Sequence, residues 1–173
     1  MKTRQYWHAR GVVYALLFIC AFLTMGCNVA IDSKSDPAPI VKNDRIDVHK
    51  APGCLCCDRW MDHLHEAGFE TSTTENSDMN AFKLKRGIAA KYHSCHTAVT
   101  RQGLVIEGHV PASAIKSFLA TPPSHAFGLA VPGMPVGSPG MEMGEQRDAY
   151  DVMLLLNDGS AEVYRQISGQ SGL

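Results

Sequence analysis

The chain has 173 residues, of which 45% are hydrophobic and 19% are charged, an ordinary balance for a globular protein with one core. Its formal net charge is −1. Residues 1–26 contain three of the 16 basic residues and no acidic residue, so the rest of the chain has 13 basic and 17 acidic residues and a net charge of −4. This balance argues against nucleic acid as a partner.

The first 26 residues predict a secretory signal. A basic segment, MKTRQYWHAR, precedes the apolar run GVVYALLFICAFLTM, and Gly26 is followed by Cys27. The segment LTMGC resembles a bacterial lipoprotein cleavage box, with Thr24 in place of the usual leucine. We therefore predict export to the periplasm and lipidation at Cys27, and Asn28 after the cysteine favours anchoring at the outer membrane.

The domain boundaries follow from composition. Residues 27–44 are polar, contain two prolines and have no apolar period, so they predict a flexible tether. The folded domain is predicted over residues 45–167, and residues 168–173 form a tail.

The hydrophobic pattern predicts elements in the order β, α, β, α, β, β, α, followed by a C-terminal β-hairpin. The predicted segments are a strand at 45–49, a helix at 56–67, a strand at 69–74, a helix from the capping pair Ser77-Asp78 to about Arg86, strands at 96–100 and 104–108, a helix from Pro111-Ala112 to 119, and strands at 150–156 and 160–166. Asn157-Asp158-Gly159 is a strong signal for the last turn. This order predicts an α/β sandwich.

Three more specific expectations concern surfaces and loops. On the first helix, Cys56, Trp60, Leu64 and Ala67 should share one face. On the second helix, the run Lys83-Lys85-Arg86 should be solvated. Residues 128–146, GLAVPGMPVGSPGMEMGEQ, contain five glycines and three prolines, which predicts a binding or lid loop.

Four cysteines belong to the folded part, namely Cys54, Cys56, Cys57 and Cys95. The first three open a helix directly after a strand and a short turn, which is the layout of a thioredoxin-like active site, where the helix N-terminus lowers thiol pKa values. The spacing leaves three uses open. Cys54 and Cys57 could form an exchangeable C-x-x-C disulfide, all four cysteines could form two structural disulfides, or all four could bind a metal.

Metal binding accommodates all four thiolates at once. Three ligands so close in sequence crowd the tetrahedron of a single Zn²⁺ ion, whereas soft Cu(I) prefers sulfur and thiolates can bridge neighbouring Cu(I) ions. The cluster therefore favours a multinuclear copper site. Further candidate ligands are the imidazoles of His63, His93, His96 and His109 and the thioethers of Met134 and Met141.

Four motifs, PGCLCCDRW, SCHTAV, IEGHVPA and GLAVPGMPVGSPGME followed by YDV, resemble the exported CopG-like copper-resistance proteins. The resemblance extends from about Ile46 to Arg165. It implies a thioredoxin-like fold, a copper cluster bridged by Cys54, Cys56, Cys57 and Cys95, and a role in copper resistance alongside periplasmic copper export. The methionines of its GMPVGSPGM segment correspond to Met134 and Met141.

Three functional hypotheses follow. The first is an exported copper-binding protein that detoxifies copper by sequestration, by interconversion of Cu(I) and Cu(II), or by handover to export components. The second is a thiol-disulfide oxidoreductase acting through Cys54 and Cys57. The third is a domain with two structural disulfides and no metal.

Overall fold

The computed structural model describes residues 45–169, and within them seven strands and three helices. In chain order these are β1 (Arg45–Lys50), α1 (Leu55–Glu66), β2 (Glu70–Glu75), α2 (Met79–Lys85), β3 (His96–Thr100), β4 (Val105–Glu107), α3 (Ala112–Ala120), β5 (Ala126–Ala130), β6 (Tyr150–Leu156) and β7 (Ala161–Ile167), with a 3-10 turn at Ala90–Tyr92. The predicted signal, the tether, the lipidation site Cys27 and the last four residues of the predicted tail lie outside the described residues. No helix within 45–169 combines the length and apolar character needed to cross a membrane.

The seven strands form one sheet in the order β2-β1-β3-β4-β5-β6-β7. The pairs β1/β2 and β4/β5 are parallel, and the other neighbouring pairs are antiparallel. A parallel pair requires a crossover connection, and α1 and α3 provide the two crossovers. The protein is therefore a mixed α/β protein.

Helices cover both faces of the sheet. One face packs against α1 and α3 in a core that includes Ile46, Val48, Trp60, Leu64, Ala98, Ile106, Ile115, Phe118 and Leu129. A smaller cluster on the opposite face, beside α2, consists of Ile88, Tyr92, Val105, Ala130 and Leu155. The alternation of strand side chains between the two faces explains why Ile106 and Val105 belong to different clusters.

The predicted helices and strands are present close to their expected bounds, but the loop predicted over 128–146 is too long. Its first three residues belong to β5, which the sequence pattern missed. This strand is held by β4 on one side and β6 on the other. Gly128 has no room for a side chain because a Cβ would collide with the Val105 carbonyl.

Two predicted surfaces also require correction. On α1 the fully buried residues are Cys57, Trp60, Met61 and Leu64, whereas Cys56 and Ala67, which the prediction placed on the same face, are only half-buried. On α2, Lys83 is 1% exposed, although Lys85 and Arg86 are solvated as expected. Lys83 is buried because it pairs with Glu107 on β4.

Candidate metal centre

Three of the cysteines lie at the N-terminus of α1. Cys54 is the N-cap residue and has no side-chain capping bond, and Cys56 and Cys57 lie in the first turn. Cys54 and Cys57 form a disulfide with Cα atoms 5.4 Å apart. The second disulfide of the two-disulfide hypothesis is not formed, since Cys56 and Cys95 are free.

The fourth cysteine completes a compact sulfur cluster. Cys95 directly precedes β3, the antiparallel neighbour of β1, and this pairing brings it to the start of α1. Its Sγ lies 3.5 Å from Cys57 Sγ and 3.8 Å from Cys56 Sγ, and Cys54 and Cys56 are separated by 3.6 Å between sulfurs. All four sulfurs lie within 4.8 Å of one another.

Two imidazoles extend the cluster on the side of Cys95. Its Sγ lies 3.0 Å from His109 Nε2 and 3.2 Å from His96 Nδ1. His109 Nδ1 lies 2.8 Å from the Pro139 carbonyl, a bond that requires the proton on Nδ1 and leaves the Nε2 lone pair facing Cys95. His96 Nε2 is buried without a hydrogen-bond partner among the described residues, and its ring packs on Trp60.

Burial dominates the electrostatics of these groups. It raises the pKa of the Cys95 thiol to about 12, with the neighbouring Cys56 thiol adding to the shift. Burial also lowers the pKa of His109, and it lowers that of His96 to well below its usual value, with His109 contributing. Both imidazoles are therefore neutral near pH 7, and neutral imidazole is the form that binds metal.

The loop after β5 packs directly against the cluster. Gly140 approaches the first turns of α1 so closely that a Cβ would lie 2.6 Å from the Cys56 carbonyl oxygen and 2.8 Å from Trp60 N. Arg59 Nε donates to the Gly140 carbonyl at 2.9 Å. Met141 follows this contact and is half-buried, whereas Met134 is 52% exposed.

The other two candidate histidines contact backbone groups outside the cluster. His93 Nε2 lies 2.9 Å from the Ile88 carbonyl and donates to it. His63 Nε2 accepts from Ala112 N at 3.0 Å, which satisfies a free N–H at the start of α3. The structure therefore brings together the four cysteines, His96 and His109, and leaves His63 and His93 outside this group.

Sequence reasoning missed the groups that orient the cluster. The Pro139 carbonyl fixes the His109 ring, and the Arg59 side chain holds the loop, but neither contact has a local signal in the sequence. The only hint for Pro139 was its place inside the GMPVGSPGM segment.

These contacts define an α/β protein with a sulfur-rich, histidine-flanked cluster at a helix N-terminus, whose ligand atoms lie close enough together that they could hold a metal ion. Residues 92–141, which include Cys95, His96 and His109, match the model of a family described as a protein of unknown function, DUF411. No curated protein matches the chain.

Two solved structures do match. Copper resistance protein copG, form 1, is 44% identical with a TM-score of 0.68, and form 2 is 42% identical with the same TM-score; each match covers 72% of this chain and 98% of the other. The chain belongs to the family of CopG copper resistance proteins.

Proposed function

We propose that this protein binds copper as cargo, in a site with more than one copper ion, and that it serves copper resistance. The observation that carries the proposal is the group of four cysteine sulfurs within 4.8 Å of one another, flanked by two neutral imidazoles. Sulfur ligands select soft Cu(I), and imidazole also suits copper. The naming of the two relatives as copper resistance proteins supports the same assignment.

The sulfur separations match those of two thiolates bound to the same metal ion. A metal–sulfur bond of about 2.3 Å, the value for zinc, places two sulfurs on one tetrahedral ion about 3.8 Å apart. The spacings of 3.5 to 3.8 Å from Cys95 to Cys57 and Cys56, and of 3.6 Å between Cys54 and Cys56, are close to this value. The proposed ligands are Cys54, Cys56, Cys57 and Cys95. His109, His96, Met141 and Met134 are the proposed supplementary ligands.

The disulfide adds a redox component to the proposal. Oxidation of two Cu(I) ions to Cu(II) would supply the two electrons that, with two protons, reduce Cys54–Cys57 to two thiols; with Cys56 and Cys95 this makes four thiols in the cluster. In the reverse direction, closure of the disulfide releases two electrons, which balance the reduction of two Cu(II) ions to Cu(I). Interconversion of the two copper states is therefore part of the proposed function.

The strand order supports a thioredoxin-like core. The strands β2-β1-β3-β4, with β1 and β2 parallel and the next two pairs antiparallel, carry the cysteines at the end of β1 and the start of α1. We assign β5 to β7 as an extension of this core. The cysteines at the start of α1 thus occupy the position of the C-x-x-C pair in thioredoxin-like proteins.

The proposed location is the periplasm, with Cys27 as a lipid anchor to the outer membrane and copper export components as partners. The apolar segment after the basic N-terminus and the LTMGC motif support this location. Intact-mass measurement of the processed protein tests the anchor: diacylglycerol on Cys27 is expected, and cleavage elsewhere without lipid would contradict it.

An anaerobic Cu(I) titration of the fully reduced protein tests the function. We expect more than one Cu(I) per chain, and we expect Cys95→Ser or Cys56→Ser to lower the number bound. Met143→Leu is the matched control, because Met143 is an exposed residue of the same loop. Binding of at most one ion, or an unchanged number in both cysteine variants, would refute a multinuclear site.

A second candidate function rests on the disulfide itself. Cys54–Cys57 at a helix N-terminus is the arrangement of a thiol-disulfide oxidoreductase. This function predicts that copper-free protein reduces insulin with dithiothreitol as electron source and that Cys95→Ser retains this activity. Absence of insulin reduction by protein that binds several Cu(I) ions would eliminate it.

A further inference from the structure

A fully buried ion pair lies beside the cluster on the opposite face of the sheet from α1. Lys83 Nζ donates to Glu107 Oε1 at 2.6 Å, and the side chains are 2% and 0% exposed. Thr97 links the two, since its Oγ1 accepts from Lys83 Nζ at 2.9 Å and donates to Glu107 Oε2 at 2.6 Å. A buried pair of this kind does not by itself imply a gain in stability, because desolvation offsets the attraction.

The carboxylate also holds the backbone that carries Cys95. Ser94 N donates to Glu107 Oε1 at 2.6 Å, so one carboxylate oxygen accepts from both a lysine and the peptide group next to the cysteine. Charge-assisted bonds of this length are stronger than ordinary amide bonds. The Ser94 N–H is thus fixed to β4, 13 residues further along the chain.

The surrounding backbone leaves little freedom to this segment. Gly108 N donates to the His96 carbonyl at 3.0 Å, and Gly133 N donates to the His93 carbonyl at 3.0 Å. A Cβ on Gly108 would collide with the Ser94 side chain and lie 2.6 Å from the Val131 carbonyl oxygen. Ser94 and Cys95 therefore lie between two anchored residues. The Ser94 hydroxyl donates to the Gly133 carbonyl, and the Glu107 carboxylate accepts from the Ser94 peptide N–H.

We infer that Glu107 is a positioning residue for Cys95: its carboxylate, held in place by Lys83 and Thr97, fixes the Ser94 peptide and thereby keeps the Cys95 thiol between the α1 cysteines and His109. The inference can be tested by thiol alkylation and by Cu(I) affinity. The test by Cu(I) affinity rests on the proposed function, whereas the test by alkylation of the Cys95 thiol is independent of copper.

Two double variants separate the hydrogen bond from the ion pair. Lys83→Met/Glu107→Gln and Lys83→Met/Glu107→Leu both remove the two charges and approximately preserve volume. Only the glutamine retains an oxygen that can accept from Ser94 N. Replacing both partners of a buried pair avoids leaving one charge unpaired, so both variants are expected to fold. Ile106→Val, on the other face of β4, serves as a control for general loosening of the core.

The first readout is the alkylation rate of Cys95 relative to Cys56 in copper-free protein with Cys54–Cys57 closed, measured by peptide mass spectrometry. Cys56 is an internal reference because both thiols are free and half-buried. We expect the Leu double variant to raise this ratio by about fivefold or more, because Cys95 leaves its enclosed position. The Gln double variant and Ile106→Val should stay within about twofold of the wild type.

The second readout is Cu(I) affinity by competition with a chromogenic chelator. We expect a loss of Cu(I) affinity of about tenfold in the Leu double variant and near wild-type affinity in the Gln double variant. Equal ratios and affinities in the two double variants at matched stability would overturn the positioning role. Failure of the wild type to bind Cu(I) would instead refute the proposed function, and the alkylation ratio would still decide the role of Glu107.

Discussion

Gly140 joins the loop after β5 to the helix that carries the cysteines, so Gly140→Ala should be costly for both stability and binding. Its φ of +84° lies in the left-handed region, where a side chain costs about 1–2 kcal/mol. In addition, the new Cβ would lie 2.6 Å from the Cys56 carbonyl oxygen and 2.8 Å from Trp60 N, and relief of such overpacking costs about 1–3 kcal/mol. The expected total loss in free energy of unfolding is about 2–5 kcal/mol.

Gly144→Ala is the matched control for backbone strain. Gly144 also has a positive φ, +59°, but no atom lies within 4 Å of the position that its new Cβ would occupy. Urea unfolding should therefore show a loss of only about 1–2 kcal/mol for this variant. The Cu(I) titration should be affected by Gly140→Ala alone, because the displaced loop withdraws the Pro139 carbonyl from His109. Equal losses in the two variants would refute the idea that close packing of the loop on α1 holds the site together.

Three further predictions concern the contacts of α1. His63→Ala should lower the free energy of unfolding by about 1 kcal/mol, because Ala112 N at the start of α3 loses its hydrogen-bond acceptor. His63→Gln should lower the free energy of unfolding by less, as measured by urea unfolding. Equal losses in the two variants would count against a capping role for His63. Burial lowers the pKa of His63, so its contribution to stability is present above the unfolded pKa of about 6.5 and is lost as the pH falls through the lower folded pKa. The stability advantage of the wild type over His63→Gln should therefore shrink as the pH falls below about 6.5, and a constant difference would contradict this. Trp60→Phe should cost about 1–3 kcal/mol in thermal unfolding because the buried Val110 carbonyl loses the Trp60 Nε1 donor, and an unchanged midpoint would argue against that bond.

The sequence by itself determined most of the secondary structure, because the signals are local. Asp78 caps α2 through its bond to Ala81 N at 3.0 Å, as the Ser77-Asp78 pair predicts. The Asn157-Asp158-Gly159 turn joins β6 and β7 at the predicted place. Short-range chemistry of this kind acts within a few residues and can be read directly from the chain.

The cysteine cluster was also visible in part. Three thiols within four positions indicated a reactive helix N-terminus, and Cys95 was the fourth cysteine of the folded part, which the family resemblance also implied as a ligand. That resemblance is confirmed by the solved structures at 42–44% identity. Spacing alone left disulfide and metal uses open, since either can satisfy the same thiols.

Only the tertiary structure decided the remaining features, because these features depend on partners that are distant in sequence. β5 is a strand since β4 and β6 flank it, and Lys83 is buried since Glu107, 24 residues away, neutralises it. His63 became a helix cap rather than part of the sulfur cluster because α3 begins beside it. Local pattern predicts which residues can form an element or bind a metal, but only the packed sheet determines which of them meet.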